Sequence, residues 1–226
     1  MNIFRKLGEK SWVPHPAGAE FSALELNENN KVGNIALRFF IAVVAVIFFL
    51  ITITFLGRSQ MVDFQALAGE PWQPFSDARQ LWLNTGALAL SSLAIHLAKI
   101  FSHKSKLDLA MGAIFLATFF ALAFLFGQLV VWKQLYQLGY YVQTNPANSY
   151  YYLYTSLHGL HLMGGILALF YVIGKFIRNK ATDDLSKSIN LCTTYWHFLL
   201  IIWLLLFALL TSSSETFRVI AELCGF

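Results

Sequence analysis

Two histidines three residues apart lie in the stretch "YTSLHGLHLMGG", residues 154 to 165, among side chains that are otherwise apolar, small, hydroxylic or aromatic. Imidazoles at that spacing share one side of a helix, where they can hold a metal ion, pass a proton, or bond a neighbouring helix. At 100° per residue Tyr154, His158, His161 and Gly165 fall on that side. Two further polar stripes recur in apolar surroundings: Thr85, Ser92 and His96, and then Asn190, Thr193, Thr194 and His197. Bundle metal sites of the Glu-x-x-His type add carboxylates from facing helices. The apolar runs here hold no Asp or Glu except Asp108 at one edge, so ligand supply rules out a di-iron carboxylate centre. A haem needs two imidazoles at matched depth on facing helices, and His158 with His197 or His96 meets that requirement on count. The residues favour interhelical hydrogen bonding through His96, His158, His161, Asn190, Thr193 and His197, worth about 1 kcal/mol per contact.

The elements that must position these groups follow from composition. Of the 226 residues, 57% are hydrophobic and 12% charged, and the mean hydropathy is +0.58, far from the balance of a soluble domain. Five apolar runs are long enough to cross about 30 Å of hydrocarbon as helices, at about 38–58, 81–100, 107–132, 150–174 and 189–210. The runs are continuous, without the alternation of a lipid-facing strand, so the fold class expected is all-α: an integral membrane bundle of five transmembrane helices. Twelve of the sixteen lysines and arginines fall in alternate segments beginning with the N-terminal one. The positive-inside rule then makes the N-terminus cytoplasmic and the C-terminus periplasmic. The organisation expected is an N-terminal segment, 1–34, a five-helix domain, 35–210, and a short periplasmic tail, 211–226.

The first 34 residues are polar and mixed, so no cleaved signal is expected there. Cys192 and Cys224 have no metal-finger spacing and are too few for a disulfide framework. The net charge of +4 is the asymmetry that orients the chain, and no nucleic-acid partner is called for. Trp82, Trp132 and the tyrosines from Tyr150 to Tyr154 mark span ends, as an aromatic belt does. Small residues at Gly164 and Gly165, and the ridge Ala113, Ala117 and Ala121, suit close helix approach. The loop containing Pro71, Trp72 and Pro74 is the surface candidate for partner contacts.

At "TSLHGLHLMGG" and "YWHFLLIIW" the sequence resembles subunit III of the haem-copper oxygen reductases, the cytochrome c oxidase subunit 3 family. That family carries a T-G-x-H-G-x-H segment and, in the last helix, a W-H-F block with a Trp six residues after its His. Thr155, His158, Gly159 and His161 match the first; Trp196, His197, Phe198 and Trp203 match the second. The likeness covers about residues 35 to 210 and fits the shorter, five-helix form of the family. The departures are Ser156 in place of the family's Gly, no Glu in the first span, Leu200 where an acid is frequent, and Val131 where a Glu is frequent.

The resemblance implies a subunit without redox metals or other cofactors of its own, haem and copper being held by partner subunits. It implies direct packing on subunit I, subunit II and others in the same complex, a structural phospholipid, and a place in a bacterial inner membrane. It also implies support of stability and sustained proton uptake in a cytochrome c oxidase. On that reading Trp132, Trp196, Trp203 and Tyr154 anchor the interface or line the lipid cleft. The alternatives are subunit III of a quinol oxidase, the accessory subunit of nitric oxide reductase, and, from another class, a small haem b oxidoreductase using histidine pairs.

Overall fold

The computed structural model describes residues 19–67, 79–178 and 182–224. Most of segment 1–34 and the Pro71, Trp72 and Pro74 loop lie outside them. The chain divides into Met1–Ala36 and Leu37–Phe226, and all the candidate residues belong to the second. Among the described residues there is no strand, and the elements are helices α1 (Ala19–Ser59), α2 (Arg79–His103), α3 (Leu107–Gln137), α4 (Pro146–Ile177), α5 (Thr182–Leu210) and α6 (Ser214–Cys224). Five of them contain stretches long and apolar enough to cross a membrane, as expected. They overrun the expected spans at most ends because a helix continues past the hydrocarbon wherever its backbone bonds can still close within it.

Helices α2 to α5 pack as a four-membered core, α2 against α3 and α5, and α4 against α3 and α5. Leu88, Ile95, Ile114, Leu162, Leu169 and Ile189 are fully enclosed in it. The alanine ridge divides: Ala117 and Ala121 are wholly buried, whereas Ala113 is packed at the margin. Residues of α1 reach α4 and α5 through aromatic rings. Phe55 meets Tyr150 edge-on at 5.3 Å, and Phe40 meets Tyr195 at 6.0 Å. Helix α6 falls in the segment read as a tail. Phe217 and Ala221 are buried while Glu215, Arg218 and Glu222 are exposed, the 3.6-residue period of an amphipathic helix. Phe217 closes on Phe55 at 5.1 Å and on Phe64 at 6.1 Å.

Two polar devices tie down the connection after α1. Arg58 pairs with Asp63 through both guanidinium nitrogens, and that bond holds the Asp63 carboxyl below its usual range. Asn145 caps α4: its Oδ1 accepts from the Ala147 amide at 3.1 Å and from the Gln65 amide at 3.2 Å, while its Nδ2 donates to the Gln65 carbonyl. Pro146 follows at the first helical position, where its missing N–H costs nothing. Replacing Asn145 by Ala should cost about 1–2 kcal/mol of stability, since it removes a cap and frees the Gln65 strap together. Asn145→Asp retains the cap acceptor but loses the donor, so thermal unfolding in detergent should place it between wild type and Asn145→Ala. Equal loss in the two variants would show that only the strap matters.

Candidate functional site

The interior polar groups of the bundle are organised around hydroxyls. Inside a membrane an indole N–H or phenol O–H must find an acceptor, and the carbonyls of a helix are already engaged. A threonine that donates its hydroxyl to the carbonyl four residues back still has an oxygen to offer sideways. Thr85 donates to Leu81 at 2.8 Å and accepts from Trp203 Nε1 at 2.9 Å, joining α2 to α5. Thr155 donates to Tyr151 at 2.7 Å and accepts from Trp132 Nε1 at 3.1 Å, joining α4 to α3. Thr52 donates to Phe48 at 2.8 Å and accepts from the Tyr154 hydroxyl at 3.2 Å, joining α1 to α4. Ser91 spans three helices: it accepts from Trp196 Nε1 at 2.8 Å and donates to the Ala117 carbonyl at 2.7 Å.

Trp196, Trp203 and Tyr154 therefore lie inside the bundle, at 0%, 1% and 0% exposure. Their polar atoms are satisfied within the protein and their rings supply core volume. Trp196 also edges an apolar groove of about 300 Å³ that Leu37, Phe40, Gly164, Ala168 and Leu191 help to line. Trp132 is half-buried against Tyr152 at 5.7 Å, beside a second surface depression near Tyr136 and Tyr141.

The histidines separate into three environments. His158 is completely buried, 5.2 Å from the Trp203 ring and 5.8 Å from Phe124, and neither of its ring nitrogens has a hydrogen-bond partner among the described residues. His161 has Nδ1 2.7 Å from its own helix's Leu157 carbonyl and lies against Phe40 and Phe48 of α1, while its backbone carbonyl accepts from the Tyr195 hydroxyl at 3.0 Å. His197 bonds across helices: its Nδ1 is 2.8 Å from Ser92 Oγ and its Nε2 3.2 Å from His96 Nδ1. Thr193 donates to the Ile189 carbonyl at 2.8 Å and lies 3.4 Å from the Ile95 carbonyl of α2. Asn190 accepts from the Thr194 hydroxyl through its own carbonyl. No group of three or more His, Cys, Asp or Glu suited to a metal ion occurs among the described residues.

Among the described residues six buried polar ones, Asn84, Ser91, Ser102, Thr118, Gln128 and Asn148, lie outside those the sequence points to. Gln128 donates to the Tyr151 hydroxyl at 2.7 Å between α3 and α4. Asn84 lies so close to Gly127 that a Cβ there would collide with Asn84 Oδ1. The signal for Ser91 is the donor count: a tryptophan inside an apolar run calls for an acceptor on a facing helix.

Gly165 sets the approach of α4 to α5. A Cβ at that position would lie 2.8 Å from Trp196 Cζ3 and 3.2 Å from Tyr195 Cε1, so the absent side chain is what lets α4 meet α5.

Comparison with known proteins agrees with this architecture. Residues 20–213 match the family model described as cytochrome c oxidase subunit III. Cytochrome c oxidase subunit 3 of Thermostichus vulcanus is 30% identical over 183 residues, covering 74% of this chain and 85% of that protein. The probable cytochrome c oxidase subunit 3 of Mycobacterium tuberculosis (strain ATCC 25618 / H37Rv) is 30% identical over 89 residues, 39% of this chain and 44% of that one. The Schizophyllum commune subunit 3 is 31% identical over 147 residues, 62% and 53% of the two chains. A bundle of five membrane-length helices, matched over most of its length, places the chain in the cytochrome c oxidase subunit III family.

Proposed function

We propose that this chain is a non-redox subunit III of a bacterial haem-copper terminal oxidase fed by cytochrome c. It lies in the inner membrane with its N-terminus cytoplasmic, packs directly on subunit I, and supports the stability and sustained proton uptake of the complex. The observation that carries the reading is how the membrane histidines are used. His96 and His197 bond one another at 3.2 Å, too close to admit a porphyrin plane between them, and His158 is walled by Trp203 and Phe124. Histidines engaged in this way support a scaffold role over haem ligation. The groove between α1, α4 and α5 takes a phospholipid acyl chain, since its walls are apolar and a Cβ at Gly164 would still meet open space.

Affinity purification of the tagged chain in mild detergent, followed by a visible spectrum and identification of the co-purifying polypeptides, tests this reading. Haem should accompany a larger many-span subunit and leave when that subunit is stripped off. Haem retained by the solitary 25.5 kDa chain would overturn the proposal and make the histidines ligands.

A further inference from the structure

The Ser92–His197–His96 chain of hydrogen bonds has an open end. His197 is midway along the apolar Leu185–Leu210 stretch and His96 is within the apolar α2, yet His96 is exposed. If the Ser92 hydroxyl donates to His197 Nδ1, then His197 Nε2–H donates to His96 Nδ1, and His96 Nε2 carries a proton to give. If the order runs the other way, His96 Nε2 is an unprotonated acceptor. In either order the last atom of the chain is a polar nitrogen on an exposed residue of a helix apolar enough to cross a membrane, about one turn before Lys99.

Hydrocarbon cannot satisfy that nitrogen, and an unpaired polar group there costs several kcal/mol. The same side of α5 carries half-buried Asn190 and exposed Thr194, aligned with His197 at successive helical turns. Flanking them are exposed apolar residues, Leu93 at 55% on α2 and Ile201 at 56% and Leu204 at 45% on α5. A polar seam with apolar margins is what a helix–helix contact in a membrane requires, and α1 does not supply it, because α1's aromatic rings lie on α4 and Tyr195.

We propose that the α2–α5 face centred on His96 is the surface on which this chain docks a transmembrane helix of a partner subunit, and that this helix supplies the hydrogen-bonding group that completes the Ser92–His197–His96 chain. The proposal deepens the oxidase-subunit reading and rests on it. An acyl chain would fit the margins but leave the His96 nitrogen unpaired, so protein is the occupant.

A photo-crosslinking amino acid placed at Leu93 or Ile201 in the intact membrane complex should join this chain to another subunit of the same oxidase, identified by mass spectrometry. The same group at Phe119, 64% exposed on α3 across the core, should give only lipid adducts. His96→Leu should lower the fraction of chain retained with its partners in mild detergent, and His96→Gln, which keeps a hydrogen-bonding group, should restore much of it. Lipid-only adducts at Leu93 and Ile201, adducts with a second copy of this chain, or a subunit adduct from Phe119 would each overturn the docking face. If oxidase subunits co-purify while the adducts fall elsewhere, this inference alone fails; if none co-purify, the subunit reading fails first.

Discussion

Gly165→Ala should destabilise the bundle by about 1–3 kcal/mol, the cost of forcing a methyl into a filled interface. Helix propensity alone gives the opposite sign, since Ala is favoured over Gly by about 1 kcal/mol inside a helix. The collision wins because its partner cannot retreat: the Trp196 ring 2.8 Å from the new Cβ is held by the Nε1 bond to Ser91, and Ser91 is held in turn by Ala117. Gly164 provides the control one residue away. Its Cβ would meet nothing within 4 Å, so Gly164→Ala should be neutral or stabilising. Thermal unfolding in detergent reads both. The origin of the loss can be assigned by a cycle with Trp196→Phe, which shortens the ring that Gly165→Ala strikes. The double variant should be more stable than the sum of the two singles implies, and strict additivity would show that the strain lies elsewhere.

The five spans were legible because the physics that sets them is one-dimensional: about 20 apolar residues per crossing can be counted along a string. The amphipathic α6 was legible in principle, through Phe217, Ile220 and Ala221 against Glu215, Arg218 and Glu222, but it is too short to register among runs four turns longer. The interior network was only half legible. The stripes containing Thr85, Ser92, Thr193 and His197 do face other helices, as their spacing indicates. What spacing could not show is which stripe meets which, and at what depth. Trp203 lies well inside the last span in sequence with no indication of its partner, and in three dimensions it is 4.7 Å from Phe124 and bonded to Thr85 on α2. The partner of an indole belongs to another helix, and the pairing of helices is decided by packing of the whole bundle. His158 and His161 illustrate the same limit: three residues apart on one helix side, they face different neighbours, one enclosed by Trp203 and Phe124 and the other beside Phe40 and Phe48.

His158 itself gives the sharpest separation between shape and polarity. The ring fills space between Phe124 and Trp203, so His158→Ala should open a cavity and cost about 3 kcal/mol or more, as truncation of buried aromatics does. Its two nitrogens have no partner among the described residues, and a buried polar atom without one costs about 1–3 kcal/mol. His158→Phe keeps a flat ring, removes both nitrogens, and adds one ring atom whose overpacking offsets part of the gain. The phenylalanine variant should therefore unfold no more easily than wild type while the alanine variant falls well below it. If His158→Phe is as damaging as His158→Ala, the imidazole is held for a hydrogen bond rather than for its volume. In that case its partner would have to come from outside this chain's described side chains, because neither ring nitrogen has a partner among them and the indole N–H of the adjacent Trp203 is committed to Thr85.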